Sequence, residues 1–302
     1  MTNERPFRFD DPVRPLLIGE RTNVLGSRRF REVIEADRWE DAAGIAAAQI
    51  RAGAGMIDIC VQSVTRDESA DMERLMEALL GRPDTRVPVL IDSTDADVME
   101  RALGIWPERC VLNSAQPAEP ERAARLAEMA RERGAAVVAG LIDIEGPAVT
   151  AERKRAAARE AYRLLVDEGG LTPESLWWDA LVFPCASGDP SYDGAAAATL
   201  EAVAFLKSEY PGTSTVLGIS NVSFGLPPAG RDAVNALFFR RAAQKGLDAA
   251  ILNPARLPVW ETMDEEDLGA AEEALFPEGD PMEALIRFTR RFREKKPIPS
   301  GR

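Results

Sequence analysis

The chain has 302 residues, 29% of them charged and 45% hydrophobic, which excludes disordered, collagen-like and low-complexity chains and leaves room for one α/β barrel or two ordinary domains. A net charge of −13, from 37 Lys plus Arg against 50 Asp plus Glu, argues against nucleic acid or an anionic membrane as the main partner. There is no histidine, so Ser-His-Asp and Cys-His hydrolases, HExxH proteases and most catalytic zinc sites are excluded.

Met1 to Arg14 is charged and lacks an apolar h-region, and no later apolar run reaches the length of a membrane span. The cysteines, Cys60, Cys110 and Cys185, are far apart and odd in number, which fits a reducing compartment, and a cytoplasmic location is expected. Residues 1–13 read as an N-terminal arm. Eight short apolar runs follow: Leu16 to Gly19, Met56 to Val61, Val87 to Ile91, Cys110 to Leu112, Ala136 to Ile142, Leu176 to Leu181, Thr215 to Ile219, and Ala249 to Leu252. Between them lie Ala- and Arg-rich segments with apolar residues three and four apart, such as Trp39 to Ala52, Arg122 to Arg133, Arg153 to Val166 and Arg231 to Lys245. Glycine closes several of these, as at Gly53, Gly134 and Gly246, which predicts a left-handed cap and a short loop into the next strand.

Eight such alternations over residues 14–257 predict a (β/α)8 barrel rather than a doubly wound sheet. Residues 258–302 read as a C-terminal helical extension. There Glu261 to Glu273 carries seven acids, and Arg287 to Arg302 carries seven bases and one acid. Both stretches read as solvated helices covering the barrel base or a neighbouring subunit.

In such a barrel the chemistry sits where the strands end, so polar residues that close apolar runs are the candidates. The first run leads into Glu20-Arg21-Thr22-Asn23, the third into Asp92-Ser93-Thr94, the fourth into Asn113-Ser114, the sixth into Asp179, and the seventh into Ser220-Asn221-Val222-Ser223. Two Asp and two Asn at one mouth offer donors and acceptors in a plane, which suits a flat heterocycle with an amino group and ring N–H groups, and they suit phosphate poorly. Helix capping is the competing use of each residue singly. Asp58 reads as a buried structural hydrogen-bonding group. A magnesium site from Asp143, Asp92 and Asp179 is the minor alternative, and no metal set is expected. Cys60 and Cys185 fall near strand tips and Cys110 at a strand start, so the thiols read as core packing rather than a zinc site. Arg28-Arg29 could meet an anionic substrate tail, although a solvated charge pair is the plainer reading.

Leu17-Ile18-Gly19-Glu20-Arg21-Thr22-Asn23 with Gly26-Ser27-Arg28-Arg29-Phe30 resembles the start of the methyltetrahydrofolate-binding domain of cobalamin-dependent methionine synthase. The resemblance continues through Ile91 to Thr94, Leu112 to Ser114, Trp178-Asp179, Leu217 to Pro227 and Gly246 to Pro254, and covers roughly Arg14 to Leu257. The wider pterin-binding family of barrels includes methyltetrahydrofolate:corrinoid/iron-sulfur protein methyltransferase and dihydropteroate synthase. By this resemblance, Asp92, Asn113 and Asp179 hold the pterin through its ring nitrogens and exocyclic amino group. Asn221 hydrogen-bonds near the methylated N5, and Asn23, Gly218 and Ser220 complete the pocket wall.

The resemblance implies transfer of the methyl group of 5-methyltetrahydrofolate to Co(I) of a corrinoid, with Asn221 as the catalytic residue favouring a protonated N5. A homocysteine barrel and a cobalamin module do not fit in 302 residues, so the corrinoid is expected on a separate protein, and family precedent implies a homodimer. Within the fold the rival is dihydropteroate synthase, whose Ser-Arg-Lys signature is replaced here by Ser220-Asn221-Val222-Ser223, and whose Ser-Thr-Arg loop is replaced by Cys60-Val61-Gln62-Ser63-Val64-Thr65-Arg66. A non-catalytic pterin-binding protein is the rival from another class. Cys60 stands where corrinoid-protein methyltransferases often carry Asn.

Overall fold

A computed structural model of the chain describes residues 15–298. The arm read over residues 1–13 and the last four residues of the extension lie outside the described residues. Eight parallel strands close into a barrel: β1 (Leu16–Asn23), β2 (Met56–Cys60), β3 (Val89–Asp92), β4 (Cys110–Ala115), β5 (Ala136–Gly140), β8 (Leu176–Asp179), β9 (Ser214–Gly218) and β10 (Ala249–Leu252). A small antiparallel hairpin, β6 (Ile142–Asp143) and β7 (Gly146–Pro147), interrupts the chain after β5. The order around the barrel is β1-β10-β9-β8-β5-β4-β3-β2, with β1 pairing β2 to close it.

The strands are covered on both faces. Every residue of β2 is buried, as a parallel strand between a packed interior and an outer helix layer requires. Ile18, Met56, Leu90, Val111, Val138, Trp177 and Val216 pack together as one apolar cluster inside the barrel and form the floor beneath its mouth. The outer layer is α1 (Arg28–Glu35), α2 (Trp39–Arg51), α3 (Glu68–Leu80), α4 (Ala96–Ile105), α5 (Pro120–Arg133), α6 (Ala151–Tyr162), α7 (Ala195–Glu209) and α8 (Arg231–Gln244). Ser27, Asp67, Asp95 and Thr150 cap α1, α3, α4 and α6 through their side chains, each satisfying an orphan N–H of the first turn. Gly134 ends α5 at φ 66°, the left-handed cap expected from Arg133-Gly134.

Several boundaries differ from the periodicity for local reasons. The sixth run stops at Asp179 because the Asp179 carboxylate accepts the N–H of Leu181 at 2.8 Å, turning Leu181 to φ 62°. The first run continues to Asn23 with a register shift between Gly19 and Thr22. The helix read over Arg153 to Val166 closes as α6 followed by a π-helical turn at Arg163–Glu168.

After β10 come α9 (Leu257–Glu261), α10 (Glu265–Leu275) and α11 (Pro281–Phe292). α9 and α10 pack against α8, and α11 packs against α10. Gly230, which caps α8, lies so close to α11 that a Cβ there would stand 2.7 Å from the Phe288 ring. The acidic and basic stretches pair with each other, through Arg291 with Asp267 at 2.6 Å and Lys295 with Asp267 at 2.7 Å. Among the described residues no helix is long and apolar enough to cross a membrane.

Candidate functional site

Inward-pointing residues alternate along each strand, so the last inward position of every strand lies on the mouth. Asp92 ends β3 and Asn113 sits opposite it on β4, a ladder step of roughly 4.8 Å away. Gly140 ends β5 opposite Asp179, the last residue of β8. Gly140 has no side chain, and the Ser114 side chain packs against it: a Cβ there would stand 3.4 Å from Ser114 Oγ. Asn23 ends β1 and Gly218 ends β9; Ser220 and Asn221 follow in a 3-10 turn, Ile219–Ser223. All seven residues singled out in the sequence thus stand at the carboxyl end of the barrel.

Asn23 is the centre of one hydrogen-bond cluster. Its amide donates to Asp58 Oδ2 and to Asp92 Oδ2, each at 2.9 Å, while its carbonyl oxygen accepts Leu25 N at 2.9 Å. The two carboxylates are thereby turned toward one another, and Asp58, buried with its Oδ1 unpartnered, is held well above the carboxylate range by burial and by Asp92. Burial also pushes the Asp92 carboxyl up to about 6, against the hydrogen bond from Asn23. The buried hydrogen bond expected of Asp58 therefore exists, but it ties Asp58 to the mouth.

Asp179 is raised to about 6 by burial, against the opposing pull of the Leu181 N–H and the Lys154 ammonium. Leu181 takes Oδ1, which leaves Oδ2 for the mouth. Arg122 ties the β3 and β4 tips together, donating to Ser93 O at 2.8 Å and Ser114 O at 3.4 Å, and so fixes the spacing of Asp92 and Asn113. The side-chain amides of Asn113 and Asn221 make no hydrogen bond among the described residues. Asn221 lies against Gly218, where a Cβ would stand 2.9 Å from its Nδ2; only glycine lets the amide sit there.

Other candidates stand apart. Arg153 holds Asp143 in an ion pair through both carboxylate oxygens, which removes Asp143 from the mouth and from any site with Asp92 and Asp179. Cys60 closes β2 and Cys110 opens β4, at opposite ends of the barrel; all three thiols are free, and burial pushes Cys110 and Cys185 up to about 12. Arg28 pairs with Glu32 at 2.8 Å on the exposed face of α1.

Three groups at or behind the mouth fall outside the sequence-based set. Asp58 left a signal, being in phase with Met56 and Cys60, although a buried strand position reads equally well as structural. Glu20 had the same kind of signal in the first strand tip; its carboxyl is raised by burial and bonded to the Ser220 side chain. Lys154 left no signal, because its helix is rich in basic residues on every face.

Comparison with known proteins agrees with this geometry. The chain is 36% identical over 290 residues to the methionine synthase of Mycobacterium tuberculosis (strain ATCC 25618 / H37Rv), covering 93% of this chain and 24% of that protein. It is 36% identical over 281 residues to the methionine synthase of Mycobacterium leprae (strain TN), covering 90% and 23%. The chain thus spans about a quarter of the length of these relatives. Among solved structures, its fold matches Anaplasma phagocytophilum dihydropteroate synthase with bound 6-hydroxymethylpterin-monophosphate, with a TM-score of 0.57 at 16% identity over 86% of this chain and 99% of that one. It also matches Yersinia pestis dihydropteroate synthase with a pterine-sulfa conjugate, with a TM-score of 0.54 at 20% identity over 87% and 93%. The family model described as "Pterin binding enzyme" matches residues 19–253, from the middle of β1 to the residue after β10, and the chain belongs to that family.

Proposed function

We propose that this barrel is a methyltransferase that moves the N5-methyl group of 5-methyltetrahydrofolate to Co(I) of a corrinoid carried by a separate protein. The observation that carries the reading is the arc of strand tips around the mouth: Asp92, Asn113 and Asp179 on β3, β4 and β8, and beside them, after β9, the unbonded amide of Asn221. The acid-rich tips present acceptors to the amino group and ring N–H of a pterin pyrimidine ring, and the Asn113 amide supplies both a donor and an acceptor. A ring held there turns its opposite edge, which bears N5, toward β9 and Asn221.

In the transfer the N5–methyl bond breaks with its electron pair left on nitrogen, while the cobalt supplies the pair for the new bond. A neutral tertiary amine leaves poorly, and a proton on N5 makes it leave as a secondary amine. The Asn221 carbonyl oxygen accepts a hydrogen bond from that N5–H, which favours the protonated form where the charge is needed. The proton itself comes from solvent. The partner's landing surface is the rim: Leu25, Val64, Ile144 and Phe224 are exposed on the loops after β1, β2, β5 and β9. Dihydropteroate synthase chemistry is disfavoured, because the turn after β9 carries Asn221-Val222-Ser223 in place of that family's Arg-Lys cations.

Anaerobic mixing of the protein with 5-methyltetrahydrofolate and cob(I)alamin, followed by absorbance, tests the reading. Methylcobalamin formation supports it. No formation by protein that binds folate in a parallel titration removes the support for transfer to free corrinoid and favours a strict need for the partner protein or a binding-only role.

A further inference from the structure

Lys154 lies on α6 and has no exposed surface, an unusual position for an amine without a carboxylate in hydrogen-bonding contact. Its Nζ donates to the carbonyl oxygen of Ala180 and, at 3.4 Å, to that of Leu181, and it sits over the Phe183 ring, 4.9 Å from its centroid. The same Leu181 carbonyl accepts Thr199 Oγ1 from α7 at 2.8 Å, and the Leu181 N–H is the group that fixes Asp179 Oδ1. Two helices therefore clamp one turn, held at positive φ, and that turn sets the direction of Asp179.

We propose that Lys154 is a positioning residue of the pterin site, a buried cation that holds the Ala180–Leu181 turn and keeps the Asp179 carboxylate ionised and aimed at the ligand. The inference rests on the pterin reading and adds a residue that touches no ligand. Asp179 is one of several acids around the mouth. Asp92 on β3 is raised by Glu68 on α3 and by Asp179 itself, and Asp58 on β2 by Asp92 and by Glu20 on β1. Lys154 is the cation that lowers Asp179. The other charges near it are already committed: Arg153 is paired with Asp143, and Arg155 faces Glu201 of α7 at 3.9 Å. Burial lowers the Lys154 ammonium to about 7, with Asp179 pulling the other way, so each group supports the charge of the other.

The test is the affinity for 5-methyltetrahydrofolate, measured by calorimetry between pH 5 and 9 in wild type, Lys154→Gln, Lys154→Arg and Asp179→Asn. Glutamine keeps a donor for the turn and loses the charge. We expect Lys154→Gln to move the acid limb of binding up by about one pH unit, the scale of a lost neighbouring charge, so that it binds about twofold more weakly at pH 7 and about tenfold more weakly at pH 5. In an Asp179→Asn background the same change moves no limb, because the group that Lys154 acts through no longer titrates. A wild-type limb in Lys154→Gln, or a displaced limb that persists in the Asp179→Asn background, overturns the proposal. Should the glutamine variant fail to fold, Lys154→Arg decides: a limb at the wild-type position supports the proposal, and a limb moved upward overturns it. Wild-type protein that binds no folate overturns the pterin reading itself, a result distinct from wild-type binding with an unmoved variant.

Discussion

Two sets of strand tips at the barrel mouth are built on different principles. At the tips of β1, β2, β3 and β8, Asn23, Asp58, Asp92 and Asp179 are locked by neighbouring side chains or backbone, each with its carboxyl or amide already half satisfied. At the tip of β9, the neighbour of β8, Ser220 and Asn221 stand on a short 3-10 turn, and the Asn221 amide is exposed and unbonded. A rigid acid-rich wall suits recognition of a ring whose donors do not change during reaction. An unbonded amide suits a contact that is fully made only when N5 gains a proton, which is where binding energy raises a rate rather than an affinity.

That division can be broken by experiment. The largest effect is expected of Asn221→Ala, which should slow methyl transfer by about 100-fold or more while changing folate affinity only a few-fold, the pattern of a lost transition-state hydrogen bond. Equal losses in both would place Asn221 on the binding side. Asp179→Ala should weaken folate binding by about 1–3 kcal/mol, since it leaves ligand donors unpaired in a closed pocket; a titration with unchanged affinity would put the ligand elsewhere.

The pH dependence is the next largest effect. Asp92 and Asp179 titrate at about 6, so below that pH the proton and the ligand's donors compete for the same oxygens. Affinity should fall on acidification by at most about tenfold per pH unit for each group. Stability runs the opposite way: with their ordinary value of 3.8 in the unfolded chain, both groups bind a proton more tightly when folded, so their contribution declines as pH rises from about 4 to 6. Binding and melting curves with the same acid slope would contradict the raised carboxyls.

The smallest predicted effects sharpen the comparison with the flank. Gly218→Ala places a methyl 2.9 Å from Asn221 Nδ2 and should slow transfer by about tenfold with binding retained, since a misplaced group costs rate before affinity. Gly230→Ala meets the Phe288 ring at 2.7 Å and should cost about 1–3 kcal/mol of stability with folate affinity unchanged, checked by chemical denaturation.

Much of the site was legible because a barrel converts strand ends into neighbours. Asp92, Asn113 and Asp179 could be read as convergent from chain position alone, since each closes an apolar run. Asp58 is in phase with Met56 and Cys60, yet a buried strand position reads equally well as structural, and its link to Asn23 spans 35 positions of sequence. The packing of α10 and α11 on α8 was not legible: helical spacing reveals an apolar face and does not say which surface covers it. The acidic and basic stretches read as solvated faces from sequence, and their ion pairing needed the two helices to be brought side by side.

The sequence by itself determined the alternation of strand and helix, the glycine and side-chain caps, the exclusion of histidine chemistry and the polar identity of each strand tip. These follow from local periodicity and residue chemistry, which need no knowledge of neighbours. Only the tertiary structure decided that Asn23 bridges Asp58 and Asp92, that Arg153 withdraws Asp143, and that Lys154 lies behind Asp179. The reason is physical: desolvation and charge pairing depend on which groups share a dry space, and folding brings those groups together from distant parts of the chain.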